Sequence, residues 1–159
     1  MVENNKIEYI IRESFEGDCN FILNSWFRSF KSGSPEMFYC CPHKLYKPWM
    51  RRYQMGVLEK GARALIAASS EDMNQILGWI LYYPQKPLIV EYIYVKDVYR
   101  NLGIASGLLQ KLGIRRGDAI LANSLTKPCF HIKAYDIIKL IEPELYIASW
   151  QRQQIKKSK

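Results

Sequence analysis

The feature that most constrains the fold is a strand that leads directly into a glycine turn and a helix, at residues 88–112. Apolar side chains occupy both alternating faces of the strand Leu88–Val95, which is typical of a central strand covered on both sides. After the turn, apolar side chains recur on one helical face, at Ile104, Leu108 and Leu112. This segment therefore predicts a sheet with helices packed on both of its faces.

The turn itself carries the pattern R-x-x-G-x-A over residues Arg100–Ala105. A turn at a helix start directs free backbone N–H groups towards one point, where the helix dipole also favours negative charge. Glycine at position 103 permits close approach of a ligand because it has no Cβ atom. The turn is therefore predicted to bind a phosphate or pyrophosphate, and an ordinary tight strand-to-helix turn is the alternative.

This pattern, which follows a strand ending in I-Y-V, resembles the acyl-coenzyme A signature of the GNAT superfamily of N-acetyltransferases, Q/R-x-x-G-x-G/A. The resemblance implies acetyl-CoA as cosubstrate, with its pantetheine arm bound like an extra strand by backbone groups of Ile93 and Val95. It also implies that the turn holds the pyrophosphate, through Arg100, Asn101, Leu102, Gly103, Ile104 and Ala105.

Hydrophobic periodicity along the whole chain predicts the order β-α-α-β-β-β-α-β-α-β, which is also the GNAT order. The fold class is therefore mixed α/β, with a mostly antiparallel sheet flanked by about four helices. The predicted strands are Lys6–Arg12, Arg63–Ala68, Ile76–Tyr83, Leu88–Val95, Ala119–Asn123 and Leu145–Trp150. Four helices are predicted. Their apolar positions run from Phe15 to Phe30 in the first, the second spans Pro48–Lys60, the third follows the R-x-x-G-x-A turn, and the fourth spans Lys127–Ile141.

A length of 159 residues corresponds to one domain. We expect residues 1–150 to form a single acyl-CoA N-acyltransferase-like domain and residues 151–159 to form a basic C-terminal tail. The opening run I-R-x-S-F-E-G-D, which leads into N-S-W-x-R-S, looks like small stand-alone GNAT members carried by tailed bacteriophages. The N-terminus lacks a signal-peptide core and the apolar runs are short, so we expect a cytoplasmic protein without membrane spans.

The net charge is +8, from 23 Lys and Arg against 15 Asp and Glu. Such a surface attracts an acidic partner or a polyanionic ligand, and coenzyme A is itself polyanionic. Nucleic acid is the less favoured explanation because no nucleic-acid-binding motif accompanies the charge. The cysteines at 19, 40, 41 and 129 have neither disulfide-framework nor paired metal-ligand spacing, so no metal is expected.

Acetylation of an amine requires a base, because a lysine-like amine with a pKa near 10.4 is almost wholly protonated at neutral pH. Strict alternation places Glu91 on one strand face with Ile89, Ile93 and Val95, as the lone carboxylate there. A buried carboxylate tends to have a raised pKa, which suits a general base. The resemblance also places Glu91 at the position of the family's catalytic glutamate, and a structural or edge-exposed carboxylate is the alternative.

The general acid is harder to assign. The family pattern N-x-x-A-x-x-x-Y, counted from Asn123, puts Thr126 at the alanine position and Phe130 at the position of the acidic tyrosine. Tyr135, further along the predicted helix, could substitute in a shifted register, although a structural tyrosine is the favoured alternative. Because a thiol has a pKa near 8.5, a missing acid would slow the reaction without preventing it.

The resemblance implies that the first two helices and the segment between them, Lys31–Pro48, select the acceptor. Nothing in that segment identifies the acceptor, so a small-molecule amine, a protein lysine and a nucleic-acid-linked amine all stay open, as does the oligomeric state. The prediction is an N-acetyltransferase that works by direct attack in a ternary complex. The alternatives are an inactive GNAT-like binding module and a basic nucleic-acid-binding protein.

Overall fold

The computed structural model describes residues 7–33, 42–124 and 135–139, and within these ranges it contains six strands and three α-helices. The strands are β1 (Tyr9–Glu13), β2 (Arg63–Ser69), β3 (Ile76–Tyr83), β4 (Ile89–Val95), β5 (Ala119–Ala122) and β6 (Asp136–Lys139). The helices are α1 (Cys19–Gly33), α2 (His43–Glu59) and α3 (Ile104–Lys111).

The strands form one sheet in the order β1-β2-β3-β4-β5-β6. The pairs from β1 to β4 are antiparallel, whereas β4–β5 and β5–β6 are parallel. A parallel neighbour requires a crossover connection, and α3 supplies it between β4 and β5. The predicted mixed, mostly antiparallel fold class is confirmed.

Both faces of the sheet are covered, which explains the continuous apolar runs in the central strands. All eight residues of β3 are buried. On one face Trp26 of α1 and Met50 of α2 pack against Trp79, and on the other Leu108 of α3 packs in the cluster that contains Ile80. Complete burial of a side chain of this size contributes about 1.5–3 kcal/mol.

Helix α2 begins at His43, five residues before the predicted start at Pro48. The carbonyl of Pro42 accepts backbone hydrogen bonds from Leu45 (2.9 Å) and Tyr46 (3.0 Å), which close the first turn. The side chain of Tyr46 is fully buried, and its hydroxyl donates to the carbonyl of Phe27 at 2.6 Å. This tertiary contact stabilises the first turn, and Pro48 lies inside the helix.

The predicted helix Lys127–Ile141 is wrong where the structure describes it. Residues Asp136–Lys139 form β6, which pairs in parallel with Ala119–Ala122. Adjacent isoleucines at 137 and 138 are compatible with the hydrophobic repeat of a helix or of a strand. Pairing with β5 makes this segment a strand. Thr126, Phe130, the predicted strand Leu145–Trp150 and the tail 151–159 lie outside the described residues, so the predicted domain limits stay predictions.

Among the described helices, none combines the length and the apolar character that a membrane span requires.

Candidate active site

A cleft of about 870 Å³ lies between α1, the end of β4 and the start of α3. Its volume falls within the range of small-molecule sites, about 300–1,000 Å³. Residues 92–95 of β4 line it, and α1 contributes a polar stripe at the helical spacing of Asn20, Asn24, Arg28 and Ser32. The turn with the R-x-x-G-x-A pattern, Arg100–Ala105, is called the signature turn below, and it lines the opposite side of the cleft.

The signature turn presents unpaired amides to this cleft. Asn101 and Gly103 have positive φ angles of 64° and 81°, and α3 begins immediately afterwards. The first amide bonded within the helix is that of Gly107, which donates to the carbonyl of Gly103 at 2.9 Å. The preceding N–H groups of Ile104, Ala105 and Ser106 therefore have no acceptor within the helix. All three residues line the cleft, so the turn is suited to hold an anion.

Glycine at position 103 is required by its backbone conformation. A Cβ built at Gly103 would meet no described atom within 4 Å, so crowding by the protein does not exclude a side chain. A φ angle of 81° is strained for L-residues with a side chain. Leu102, by contrast, is 43% exposed and is not among the described residues that line the cleft.

Two side chains hold the turn in place. The guanidinium of Arg100 forms an ion pair with Asp97 at 2.6 Å, and its Nε atom donates to the carbonyl of Val95 at 3.3 Å. The hydroxyl of Tyr9 on β1 donates to the carbonyl of Gly103 at 3.3 Å. The turn is thus fixed both to β4 and to the far edge strand β1.

Glu91 occupies a β-bulge. The register of β3 and β4 passes from Leu81 opposite Tyr92 to Tyr82 opposite Val90, so Glu91 is the extra residue. An inserted residue reverses the alternation of faces along the strand. Simple alternation therefore fails at this position.

The bulge corrects the predicted grouping of Glu91 with Ile93 and Val95. Ile89 and Tyr92 pack on the α1–α2 face of the sheet, whereas Ile93 and Val95 pack on the α3 face. Glu91 directs its carboxylate towards α2, where Tyr53 bonds it.

Strands β4 and β5 separate at the bulge. Their last paired residues are Val90 and Ala122, and the amide of Asn123 adds one more bond to the carbonyl of Val90 at 3.0 Å. Beyond that point no described strand pairs with the β5 side of β4. Ile93 and Val95 lie on this open stretch, and both line the cleft.

The carboxylate of Glu91 is completely buried and accepts hydrogen bonds from Tyr53 and Asn123. Tyr53 donates its hydroxyl hydrogen to Oε1, and the side-chain amide of Asn123 donates to Oε2 at 2.6 Å. The Tyr53 hydroxyl also lies 3.3 Å from the Oγ atom of Ser124. The pKa of Tyr53 lies far above its ordinary value. The main cause is burial, followed by the negative charge of Glu91 and by the hydrogen bond between the two side chains. The phenol therefore stays protonated and remains a donor.

Cationic groups face the cleft from both sides. Burial raises the pKa of Tyr94, and the charge of Asp97 adds a smaller increase. The positive charges of Arg100 and Arg28 lower this pKa. The two guanidinium groups therefore act on one hydroxyl in the cleft from different elements. Arg28 has no carboxylate partner within the described part of the chain.

Tyr135 lies immediately before β6, not on a helix as predicted. Its side chain is 9% exposed, packs in the apolar cluster on the α3 face and lines the cleft. The structure thus brings Tyr135 to the same cleft as the signature turn. Glu91 lies beside the cleft and is not among its described lining residues. No cluster of three or more potential metal ligands occurs within residues 7–33, 42–124 and 135–139.

Comparison with known proteins agrees with this geometry. The family model for the acetyltransferase (GNAT) family matches residues 22–113, which is more than half of the chain. The chain belongs to the GNAT acetyltransferase family. The match includes most of α1, the bulged strand β4 and the signature turn, and acetyl transfer is the general activity of this family.

Solved structures show the same fold at low sequence identity. A protein described as an acetyl transferase from Pyrococcus furiosus is 17% identical, with a TM-score of 0.58 over 87% of this chain and 89% of that one. The PaiA N-acetyltransferase from Thermoplasma acidophilum, solved in complex with coenzyme A, is 14% identical, with a TM-score of 0.50 over 67% and 70% of the chains. No curated protein matches this GNAT-family chain significantly in sequence.

Two contributors to the site of this GNAT-family protein were missed in the sequence. Neither Tyr53, on the apolar side of α2, nor Ser124 is singled out in the sequence. The Tyr53 ring stacks on Trp49, with ring centroids 5.4 Å apart. Its hydroxyl nevertheless bonds Glu91, and the only sequence signal was a polar atom on an otherwise apolar helix face.

Proposed function

We propose that this GNAT-family protein transfers an acetyl group from acetyl-CoA directly to a primary amine in a ternary complex. The observation that supports this most strongly is the cleft in which unpaired amides at the start of α3 meet the open stretch of β4. One side of the cleft suits an anion and the other suits an extended amide-containing chain. Acetyl-CoA contains both.

The residues present fit this cosubstrate. The amides of Ile104 and Ala105 would bind the pyrophosphate, with Arg100 and Asn101 beside them, and Leu102 and Gly103 would shape the turn. Backbone groups of Ile93 and Val95 would hold the pantetheine arm. Because the carbonyl of Val95 already accepts from Arg100, the arm would share that carbonyl or displace the side chain.

The acceptor nitrogen would attack the acetyl carbonyl, the carbon–sulfur bond would break and the thiolate would leave. Before the attack, Glu91 would take one proton from the ammonium form of the acceptor. The second proton, which the nitrogen loses as the amide forms, balances the proton that the thiolate receives. The carboxylate of Glu91 accepts hydrogen bonds from Tyr53 and Asn123, which stabilise the charged form before the proton arrives. Tyr135 is the proposed donor to the thiolate because it lines the cleft beside α3.

The acceptor class is a primary amine, either of a small molecule or of a protein lysine. The net charge of +8 favours an acceptor with acidic groups. A screen of small-molecule amines and lysine peptides identifies the acceptor within this class.

One observation favours a second candidate function. Glu91 is 0% exposed, which is also what a module that binds acetyl-CoA without catalysis would show. Such a module would bind the cosubstrate but release no coenzyme A in the presence of any amine.

The test is a calorimetric titration with acetyl-CoA, followed by detection of free thiol with a panel of amines. Gly103→Glu places a carboxylate at the turn, whereas Gly113→Glu makes the same change at a glycine with a similar φ angle of 83° after α3. We expect the parent and Gly113→Glu to bind, and Gly103→Glu to lose at least about tenfold in affinity by charge repulsion and backbone strain. A folded parent that fails to bind acetyl-CoA would contradict the proposal.

A further inference from the structure

We propose that Ser124 and Tyr53 form a relay that carries the proton of the acceptor amine to Glu91. This inference rests on the proposed acetyltransferase function and adds a route for the proton. Neither residue belongs to the signature turn, and both lie next to the point where β4 and β5 separate.

A route is needed because the base is enclosed. Glu91 has no exposed surface, and the Tyr53 hydroxyl is bonded to its Oε1 atom. An acceptor amine therefore cannot contact the carboxylate without displacing side chains. A proton can cover the same path by moving between hydroxyl groups.

The hydrogen bonds give the relay a direction. Because Tyr53 donates its single hydroxyl hydrogen to Glu91, its oxygen can only accept from Ser124. The Oγ atom of Ser124 must then be the donor across the 3.3 Å contact. Ser124 lies just after β5 and is partly exposed, whereas Glu91 is buried, so the chain of hydrogen bonds leads from the separation point into the core. Like Glu91, Ser124 lies beside the cleft and is not among its described lining residues.

Asn123 holds the inner end of this chain. Its side-chain amide lies 2.6 Å from Oε2 of Glu91 and 3.3 Å from the hydroxyl of Tyr53. The ring of Tyr53 is fixed independently, by stacking on Trp49 and an edge contact with Trp26. The donor and acceptor atoms are therefore positioned before any substrate arrives.

The proposed step balances in a single concerted shift. An N–H bond of the protonated acceptor amine, an ammonium group, breaks and its proton binds Ser124 Oγ, the Ser124 proton moves to the Tyr53 oxygen, and the Tyr53 proton moves to Oε1 of Glu91. Each hydroxyl gives one proton and gains one, so the net change is a neutral amine and a protonated Glu91. Because the pKa of Tyr53 is raised by burial and by Glu91, a free tyrosinate is disfavoured and the shift must be concerted.

Tyr53→Phe tests the relay while keeping the aromatic packing. Tyr46→Phe is the matched control, because it removes a buried hydroxyl from the same helix, one that bonds the carbonyl of Phe27 at 2.6 Å. We expect Tyr53→Phe to bind acetyl-CoA within twofold of the parent and to lose about 100-fold in kcat, since general-base catalysis contributes about 10²–10⁴-fold. Tyr46→Phe should keep its kcat within about threefold.

Two further readouts separate a relay from a structural role. Members of one relay act in series, so the double variant Tyr53→Phe with Glu91→Gln should be no slower than the slower single variant. The defect of Tyr53→Phe should also shrink about tenfold per pH unit as the pH rises towards 10, because the amine then deprotonates unaided. The titratable groups that act on Tyr53 within the described chain are Glu91 and Tyr83.

Multiplicative losses in the double variant, or a defect of Tyr53→Phe that is the same at every pH, would overturn the relay while leaving the acetyltransferase proposal standing. A folded parent that binds acetyl-CoA but turns over no amine would overturn both. Retained kcat in Tyr53→Phe together with a large loss in Glu91→Gln would also overturn the relay, because Glu91 would then act by another route.

Discussion

Arg12 and Asp18 form a two-point ion pair, with Nη1 2.6 Å from Oδ2 and Nη2 2.9 Å from Oδ1. The Asp18 carboxylate is 3% exposed and also accepts from the amide of Phe15 at 3.0 Å. This pair joins β1 to the turn before α1. It gives a structural reason for the arginine and the aspartate in the opening run I-R-x-S-F-E-G-D.

Asp18→Asn should destabilise the fold by about 3 kcal/mol, because it leaves the Arg12 guanidinium, which is 11% exposed, without its counter-charge. Urea unfolding at pH 7 measures this loss. Glu16→Gln, which removes an exposed carboxylate from the same turn, should change the free energy of unfolding by less than about 0.5 kcal/mol. Equal effects of the two variants would refute the assignment.

The same pair should make stability depend on pH in the acid range. Burial opposes ionisation of Asp18, but the hydrogen bonds from Arg12 and Phe15 outweigh it and lower its pKa. In this pH range Asp18 therefore binds more protons in the unfolded chain than in the folded one. Its contribution to the free energy of unfolding is complete above the unfolded pKa near 3.9, and it is lost as the pH falls through the lower pKa of the folded state. The unfolding curves of the parent and Asp18→Asn should therefore converge as the pH falls below about 4.

Gly107→Ala should disturb the signature turn from a distance. A Cβ at Gly107 would clash with the hydroxyl oxygen of Tyr9, and this hydroxyl donates to the carbonyl of Gly103. Tyr9 must therefore move, and we expect acetyl-CoA affinity measured by calorimetry to fall about threefold to tenfold by loss of the hydrogen bond. Tyr9→Phe removes the same hydrogen bond without a clash, so it should lose acetyl-CoA affinity to the same extent as Gly107→Ala. Unchanged affinity in Tyr9→Phe would show that this hydrogen bond is not the cause.

Gly56→Ala should have the opposite effect on stability. Gly56 lies in α2, and an added Cβ would meet no described atom within 4 Å. Alanine is favoured over glycine inside a helix by about 0.8–1.0 kcal/mol. We expect a higher midpoint of thermal unfolding with unchanged acetyl-CoA affinity, and a lower midpoint would contradict the described environment of this residue.

Arg28→Gln should weaken binding only to phosphate-bearing acyl donors. Arg28 and Arg100 act on the same tyrosine in the cleft, so we expect Arg28 to contribute charge attraction to the phosphates of acetyl-CoA. Affinity for acetyl-CoA should fall about threefold to tenfold at low salt, while that for acetyl-pantetheine should not change. Arg52→Gln, on the exposed side of α2, is the control. Equal loss for both donors would exclude a phosphate contact.

Tyr135→Phe tests the proposed acid. The side chain packs in the apolar cluster on the α3 face, so phenylalanine should retain its packing and the unfolding midpoint. If the hydroxyl protonates the thiolate, kcat should fall about tenfold or more while the acetyl-CoA dissociation constant stays within twofold. An unchanged kcat would make Tyr135 a purely structural tyrosine.

The elements that sequence predicted well are those with a strong local signal. The continuous apolar run of β3 is typical of a strand that is covered on both faces. The turn before α3 requires a positive φ angle, which favours glycine. At 137 and 138, adjacent isoleucines suit a helix or a strand, and pairing with Leu121 and Ile120 on β5 made them a strand. The start of α2 likewise depended on a contact between Tyr46 and α1.

By itself, the sequence determined the family, the strand-turn-helix segment and the presence of a lone carboxylate on β4, since all three are encoded in contiguous residues. Only the tertiary structure decided where that carboxylate points. One inserted residue in the β3–β4 register turned Glu91 towards α2, and the partners that it meets, Tyr53 and Asn123, are 38 and 32 positions away in the chain. A bulge and long-range hydrogen bonds arise from the pairing of distant segments, and no local pattern in the sequence encodes them.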